Sequence, residues 1–294
     1  MPFQVPQFFT TDFSRNWEML AQQKDSRLGP TVTADSFFGK RKKYNQLDVG
    51  EMTEVTDRKG VTPDHDTTGR AYWIYRRKFH FTRTWDEDDS LNLGQVALPD
   101  SDEMQSAVAA GNRTKDKVII QAFDGSRKVE DCGTEEEAFN LAGTQQVAAN
   151  YGGSNSGLTV EKIIRAKKIL DENEVDDGDR FFVVASHQLN EDMLTSEKIT
   201  SGDYMQVKAL IDGQVDRFAG FTFVRSEQLP KSGQIRSAFA YHKSGIKWAD
   251  NGRSTHVDIR ADKNHAVQMR AVYRMGAVRT EDKRIVRVLC DEAP

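Results

Sequence analysis

The chain has 294 residues, with 41 Lys+Arg against 45 Asp+Glu and a formal net charge of -4. That length permits one elaborate domain or two ordinary ones. Hydrophobic residues make up 37%, too many for a wholly disordered chain yet lean for one compact body of this size. Near-neutral charge argues against a dedicated DNA-binding module. No apolar run approaches the roughly 18 residues of a membrane-spanning helix. Met1 to Asn16 lacks the basic start and apolar stretch of a secretory signal. The two cysteines, Cys132 and Cys290, are far apart and in no CxxC. A disulfide framework and a structural zinc site are therefore both disfavoured, and a reduced cytosolic setting is the default.

The N-terminal segment carries scattered aromatics: Phe3, Phe8, Phe9, Phe13 and Trp17. Pro2 and Pro6 resist helix there. A short helix is expected from Phe13 to Asp25, capped by Thr11 or Asp12, with Phe13, Trp17 and Leu20 on one face. Large aromatics on an extended arm cannot bury themselves, which favours an arm lying on another surface over a frayed terminus. The basic run Lys40 to Lys43 reads as a solvated loop, since four charges are too few to argue nucleic-acid contact.

Residues 45–90 read as a long hairpin. Its first arm, Asp48 to Arg58, is acidic, and its second, Ala71 to Trp85, is basic and aromatic. β-branched and aromatic content favours strand. A two-stranded ribbon of this length is marginal alone in water, so it must rest on something else. A long helix follows to Phe123, capped by Asp100, with Met104, Ala107, Val108, Gly111, Val118 and Ile119 at helical spacing. Gly111 and Asn112 predict a bend or break in it. Ser126 to Gly157 is polar and Gly-rich and reads as a long surface loop.

From Leu158 the pattern alternates. Thr159 caps a helix to Leu170 with Val160, Ile163, Ile164 and Lys167 on one face. Phe181 to Ala185 reads as a buried strand. Ser186 caps a helix carrying Leu189, Met193 and Leu194, and Ser201 another with Tyr204, Val207 and Leu210. Phe218 to Val224 is the next strand. Together these suggest a small α/β subdomain. In Ala266 to Val278 the odd positions, Val267 to Ala277, predict one buried face. Thr255 to Ala261 and Ile285 to Cys290 are its candidate partners.

Motifs of catalysis are thin. The only Gly-Lys step, Gly39-Lys40, does not continue to Ser or Thr, so there is no P-loop. Gly153 to Gly157 has Asn155 where a nucleophile elbow needs Ser, and reads as a flexible loop. The six histidines form no HxxxH or HExxH. Asp64-His65-Asp66 reads as a hairpin tip and His187 as the first turn of a capped helix, although His187 could serve as a base. The acidic runs Asp86 to Asp89 and Glu135 to Glu137 read as solvated faces. Neither cysteine has a flanking constellation that makes a thiolate nucleophile. No catalytic residue, cofactor site or metal site is assigned, and no enzymatic activity is expected.

An aromatic arm, a charged hairpin, a long helix, a small α/β unit and a β platform remain. In that order they resemble the major capsid proteins of tailed bacteriophages, the shell fold named after the Hong Kong 97 phage. Trp17 to Leu28 (WEMLAQQKDSRL) is similar to the N-arm of a subgroup of these proteins. Ala109 to Gly125, with Asp116, Ile119, Ile120 and Gly125, is similar to the segment ending their spine helix. Arg180 to Leu194 (RFFVVASHQLNEDML) and Lys198 to Leu210 (KITSGDYMQVKAL) carry the strongest likeness, which Gly213 to Phe221 (GQVDRFAGF) continues.

The resemblance implies an α+β chain with an N-terminal arm (1–44) and an extended loop (45–95). The peripheral domain with its spine helix (96–157) and an axial domain (158–243) would follow. C-terminal strands (244–294) would return to the peripheral domain. It implies pentamers and hexamers forming an icosahedral head around double-stranded DNA held non-specifically. The protein would reside in the virion shell, assembled in the host bacterial cytoplasm, with T=7 as the class default. Phe8, Phe9, Phe13, Trp17, Trp73, Tyr75, Arg76, Arg77 and Phe79 are the candidate inter-subunit residues. A separate scaffolding protein is expected, because no long N-terminal segment could act as a built-in one. A portal protein and a decoration protein are further expected partners, and a membrane is not. No residue matches the family's Lys–Asn cross-link. Two alternatives stay open: an encapsulin-like compartment, and a soluble α/β enzyme using His187.

Overall fold

The computed structural model describes residues 23–52, 54, 69–85, 102–130, 132–140, 145–192 and 217–292. The strands and helices run, in chain order, β1 (Thr33–Ser36), β2 (Arg41–Leu47), β3 (Gly69–Tyr75), β4 (Arg77–Trp85), α1 (Asp102–Asp124), β5 (Arg127–Val129), β6 (Glu135–Glu137), β7 (Gln146–Val147) and α2 (Val160–Glu172). Then come β8 (Arg180–Val184), β9 (Arg217–Phe218), β10 (Phe221–Arg225), β11 (Lys231–Ser232), β12 (Ile235–His242), β13 (Ile246–Arg260), β14 (Ala266–Arg279) and β15 (Ile285–Asp291). Three sheets result: β1-β13-β14-β4, β7-β15-β12-β8-β10-β9 with β11 on β12, and β2-β3-β5-β6. Two compact units divide the chain. One comprises Met1–Ser26, Lys78–Thr114 and Gly252–Tyr273, the other Arg27–Arg77, Lys115–Asn251 and Arg274–Pro294.

The larger unit is built around the seven-stranded sheet. Phe182, Val183 and Val184 of β8 are wholly buried, as an apolar run covered on both faces requires. β8 pairs parallel with β10 and antiparallel with β12, and β12 pairs antiparallel with β15. The single strand expected from Phe218 to Val224 is instead a tight hairpin of β9 and β10. Its two turn residues, Ala219 and Gly220, both have positive φ, the geometry that matches strand twist in a two-residue connection. Against one side of the sheet lies α2, capped by the Thr159 side chain, which accepts from the Lys162 backbone N–H at 3.4 Å. Its buried residues are Lys162, Ile163, Ala166, Ile169 and Leu170. The predicted face was rotated, because Ile164 is more than half exposed. Lys162 takes an inward place because its Nζ donates to the carbonyls of Ser156, Gly157 and Leu289 at 2.6, 2.9 and 3.1 Å. A buried cation needs such partners.

Those carbonyls also account for the stretch expected to be a long surface loop. Residues 126–157 contain β5, β6 and β7, and Phe139, Val147 and Ala149 are buried. Asn155 donates to Asp291 at 3.2 Å, Asp291 N–H donates to Ser156 at 3.0 Å, and β7 pairs parallel with β15. The stretch is thus partly strand, with β5 and β6 joined to β3 and β7 to β15, while residues 151–155 keep the exposure that their composition suggests.

The second half of α1 covers another part of the unit. Phe123 stacks on Phe239 at 4.8 Å and meets Tyr241 at 4.7 Å. The Tyr241 hydroxyl shares a 2.6 Å hydrogen bond with Thr31. Asp116, wholly buried, accepts from the backbone N–H groups of Arg27 at 3.0 Å and Leu28 at 3.2 Å. A carboxylate on the helix thus fixes where the chain enters this unit.

In the smaller unit, Met104 and Ala107 of α1 pack with Phe81, Met269, Ala271 and Tyr273. The helix runs unbroken through Gly111. A Cβ there would lie 2.3 Å from Tyr273 Cζ, so this glycine serves close approach rather than a break. The β13–β14 turn is closed by Ala266 N–H donating to Lys263 at 2.8 Å. On β14 the predicted alternation holds at Met269, Ala271 and Met275. It fails elsewhere, since Val267, Tyr273 and Ala277 are only half-buried while Ala266, Val272, Gly276 and Val278 are buried.

Two further expectations change. The basic run is strand, with Arg41 opposite Tyr75 and Lys43 opposite Trp73. The strand paired with β3 is therefore Arg41–Leu47, and of the expected first arm residues 48–52 and 54 are not strand. Ala71 to Trp85 is two strands in two sheets, separated at Arg76, whose N–H donates to Lys40 at 2.9 Å. The helix expected over 13–25 is irregular at 23–25, where it is described, and its remainder lies outside the described residues. The expected helix at 201–210, the Asp100 cap and residues 55–68 lie outside them too, as do Met193 and Leu194. Leu189 is buried in a short π-type turn, Gln188–Asp192.

Candidate functional site

Side chains alternate across β2 and β3, so the two faces of their sheet differ. Trp73 and Tyr75 share one face. The Trp73 Nε1 donates to the Glu130 carbonyl at 2.6 Å, and the Arg41 guanidinium lies 4.6 Å above its ring. Tyr75 donates to the Gly133 carbonyl at 3.3 Å. Gly133 has φ +66, and a Cβ there would come within 2.8 Å of the Tyr75 hydroxyl, so only glycine fits under the two rings. On β5 and β6 the Lys128–Glu136 pair, at 3.6 Å, extends this face, and the Arg127–Glu137 pair, at 2.8 Å, lies on the other. The Glu135–Glu137 run is a paired strand whose Glu135 and Glu136 are exposed, as a solvated acidic run is expected to be.

The opposite face holds Tyr44 and Tyr72, stacked at 5.3 Å, with Lys247 Nζ 4.2 Å from the Tyr44 ring. Asp35 accepts from Lys42 at 2.7 Å and Tyr44 at 2.6 Å. The Lys42 and Tyr44 hydrogen bonds pull its carboxyl down to about 2. Burial pushes Tyr72 up to about 12 and raises Tyr44 as well.

At the ends of β2 and just beyond them apolar side chains lie bare. Phe38, Leu47, Val49 and Met52 are each more than three-quarters exposed. Their apolar area is what a partner surface would cover. Of the residues singled out from sequence, Trp73 and Tyr75 are half-buried and held within the chain. Arg76 is half-buried. Arg77 is exposed and donates to Gln121 Oε1 at 2.7 Å. Phe79, on β4, is half-buried. Phe8, Phe9, Phe13 and Trp17 lie outside the described residues. Sequence reasoning passed over Phe38, Leu47, Val49 and Met52. The only available signal was their spacing in a polar stretch, and it becomes informative once the strand register is known.

Residues that could carry chemistry are engaged otherwise. His187 Nε2 is 2.9 Å from Glu292, which Arg236 and Lys231 also bind, and Glu227 lies 3.8 Å from Nδ1. This is an ion-pair network joining the end of β8 to the end of β15. Cys290 is buried, which pushes its thiol up to about 12, and Cys132 is exposed. Among the described residues, no group of His, Cys, Asp and Glu is arranged to hold a metal ion, and no helix is long and apolar enough to cross a membrane.

A family model described as phage capsid protein matches residues 5–292. No curated protein matches in sequence. Solved structures match along the whole length. The chain is 14% identical to one from Mycobacterium phage Che8, with 97% of this chain and 98% of that chain covered at a TM-score of 0.67. The capsid structure of cyanophage P-SCSP1u is 12% identical, covering 100% and 96% at 0.69. The capsid asymmetric unit of cyanophage Pam1 is 9% identical, covering 99% and 98% at 0.71. At such identities the structural likeness is one of fold, the α+β Hong-Kong-97-like shell fold. The family match supplies the rest: the chain belongs to the phage capsid protein family and is a major capsid protein.

Proposed function

We propose that the chain assembles as pentamers and hexamers into the icosahedral head of a tailed bacteriophage, enclosing double-stranded DNA held non-specifically. The observation that carries this reading is the family match over residues 5–292 together with the bare apolar side chains of Phe38, Leu47, Val49 and Met52, in β2 and just beyond its two ends. Large apolar side chains this exposed mark a surface for a partner. In a shell they gain burial on a neighbour, and weak contacts repeated around each subunit add up. The chain's role is structural, without catalysis.

Residues 45–95 would form the extended loop across an adjacent subunit, 96–157 the spine-helix part of the peripheral domain, and 158–243 the axial domain. The arm residues Phe8, Phe9, Phe13 and Trp17 would carry contacts, together with Trp73, Tyr75, Arg76, Arg77 and Phe79. Phe38, Leu47, Val49 and Met52 join them. A scaffolding protein and a portal protein complete the assembly in the host cytoplasm, with a decoration protein as a further partner of a T=7 shell. The charge of -4 suits a container, because a strongly basic lining would grip the genome. Arg76→Glu combined with Arg77→Glu tests the interface. The expected result is a folded subunit that forms no shells, and wild-type shells from this variant would contradict the assignment.

A further inference from the structure

We propose that the apolar groove between α1 and β13 is filled by the segment that leads into it in the same chain, with Leu20 and Trp17 as the side chains that cover it. The groove is about 370 Å³ and lies wholly within the smaller unit. Met104, Ala107, Val108, Ala271 and Tyr273 line it with apolar surface, and Thr255 lines it from β13. Left open, a volume of this size would hold on the order of ten waters against apolar side chains. Val257 and Ile259 of β13 are 52% and 69% exposed. Strand alternation puts them on the Thr255 face, so they carry the apolar strip past the groove.

The course of the chain points to the occupant. Asp116 of α1 accepts from the Arg27 and Leu28 N–H groups. One helical turn nearer the start of α1, Asn112 Nδ2 donates to the Lys24 carbonyl at 2.8 Å. Read backwards, the chain therefore climbs α1 towards its first turn, and Lys24 and Asp25 already line the groove. Continued in that direction, the residues ahead of Gln23 pass Val108 and Met104, one and two turns further on. Asn112 and Met104 are about 12 Å apart along the helix axis. Leu20 is four residues ahead of Lys24, so it lies within about 14 Å of it in any conformation.

The sequence there is Trp17-Glu18-Met19-Leu20-Ala21-Gln22. Trp17 and Leu20 are three residues apart, the spacing of one helix face. A segment tethered at the end of the groove meets it at an effective concentration that another copy's segment must outcompete. An indole laid on the groove keeps one face outward, so Trp17 covers the groove and still presents a surface to a neighbour. The root of the arm is then fixed by its own chain, which sets where Phe8 and Phe9 depart. The inference stands apart from the shell reading, because the unassembled chain tests it.

Full-length chains carrying Cys132→Ser and Leu20→Cys receive a second cysteine, Val108→Cys or Thr255→Cys. Each is prepared as an equal mixture of isotopically light and heavy protein, kept unassembled, and mildly oxidised. Peptide mapping is expected to find position 20 joined to 108 or 255, with both halves of one isotope. His256→Cys, on the opposite face of β13, is the control, and its disulfide is expected to be roughly tenfold slower to form because the side chain points away. No disulfide at either groove position, or one that forms as fast at 256, overturns the proposal. Mixed-isotope disulfides as the main product give the groove to a second copy and overturn the choice of occupant. Should the cysteine variants fail to fold, hydroxyl-radical oxidation of Met104 replaces them. It is expected to rise several-fold in Leu20→Asp over wild type, and unchanged oxidation overturns the proposal. None of these results bears on whether shells form.

Discussion

Replacing Asp116 with alanine tests how the larger unit is held. Its carboxylate accepts from the Arg27 and Leu28 backbone N–H groups at 3.0 and 3.2 Å, and Asp116 and Leu28 are wholly buried. Alanine removes both acceptors. The Leu28 N–H is then left without a partner, at about 1–3 kcal/mol, while water can reach Arg27 and return part of its loss. The total is about 2–4 kcal/mol, a large share of the roughly 5–15 kcal/mol that holds a typical domain together. Asp116→Asn keeps one acceptor and loses about half as much. Urea unfolding of the unassembled full-length chain reads the loss, and hydrogen exchange at Arg27 and Leu28 localises it. Because the chain has two compact units, the exchange data decide which one opens. A change under about 0.5 kcal/mol with unaltered exchange at both amides would refute the reasoning, since that is the range of surface substitutions.

Three further outcomes follow from the geometry. Gly276→Ala places a Cβ 2.5 Å from the Tyr75 carbonyl oxygen, backbone that cannot swing aside. It should cost about 1–3 kcal/mol in the same unfolding assay. Asp35 ionises at about 2 in the folded chain against an ordinary 3.8, so its contribution is full above pH 3.8 and lost as pH falls through about 2. Asp35→Asn should therefore be less stable than wild type at pH 7, by on the order of 1–2 kcal/mol after solvent screening, with the gap closing by pH 2. Thiol labelling of the native chain at pH 8 should modify Cys132 and spare Cys290, whose burial suppresses the thiolate. Urea should expose both, and rapid native labelling of Cys290 would contradict its placement.

Where residues obey one strong local rule, the sequence was enough to read the structure. The Thr159 cap, the apolar run of β8 and the helical spacing of α1 all reappear in the fold. Failures came where a distant partner overrode local chemistry. Lys162 looks like a surface residue until three carbonyls from other segments surround it. Residues 126–157 look solvated in sequence, and 151–155 are, but the short strands within the stretch pair with β3 and β15, which lie far off along the chain. Gly111 looks like a helix breaker, but Tyr273 needs the space that its missing side chain leaves. Of the candidate interface, the aromatic and basic strand was visible as a pattern. The bare apolar set was not, because Phe37 and Phe38 are indistinguishable in sequence and only the fold buries the first and leaves the second exposed.

The central claim is that this chain builds closed shells. Sedimentation of the purified full-length protein, followed by negative-stain imaging, with and without neighbouring phage genes co-expressed, tests it most directly. Uniform particles tens of nanometres across are the predicted result. A persistent monomer or dimer, even with those genes present, would contradict it.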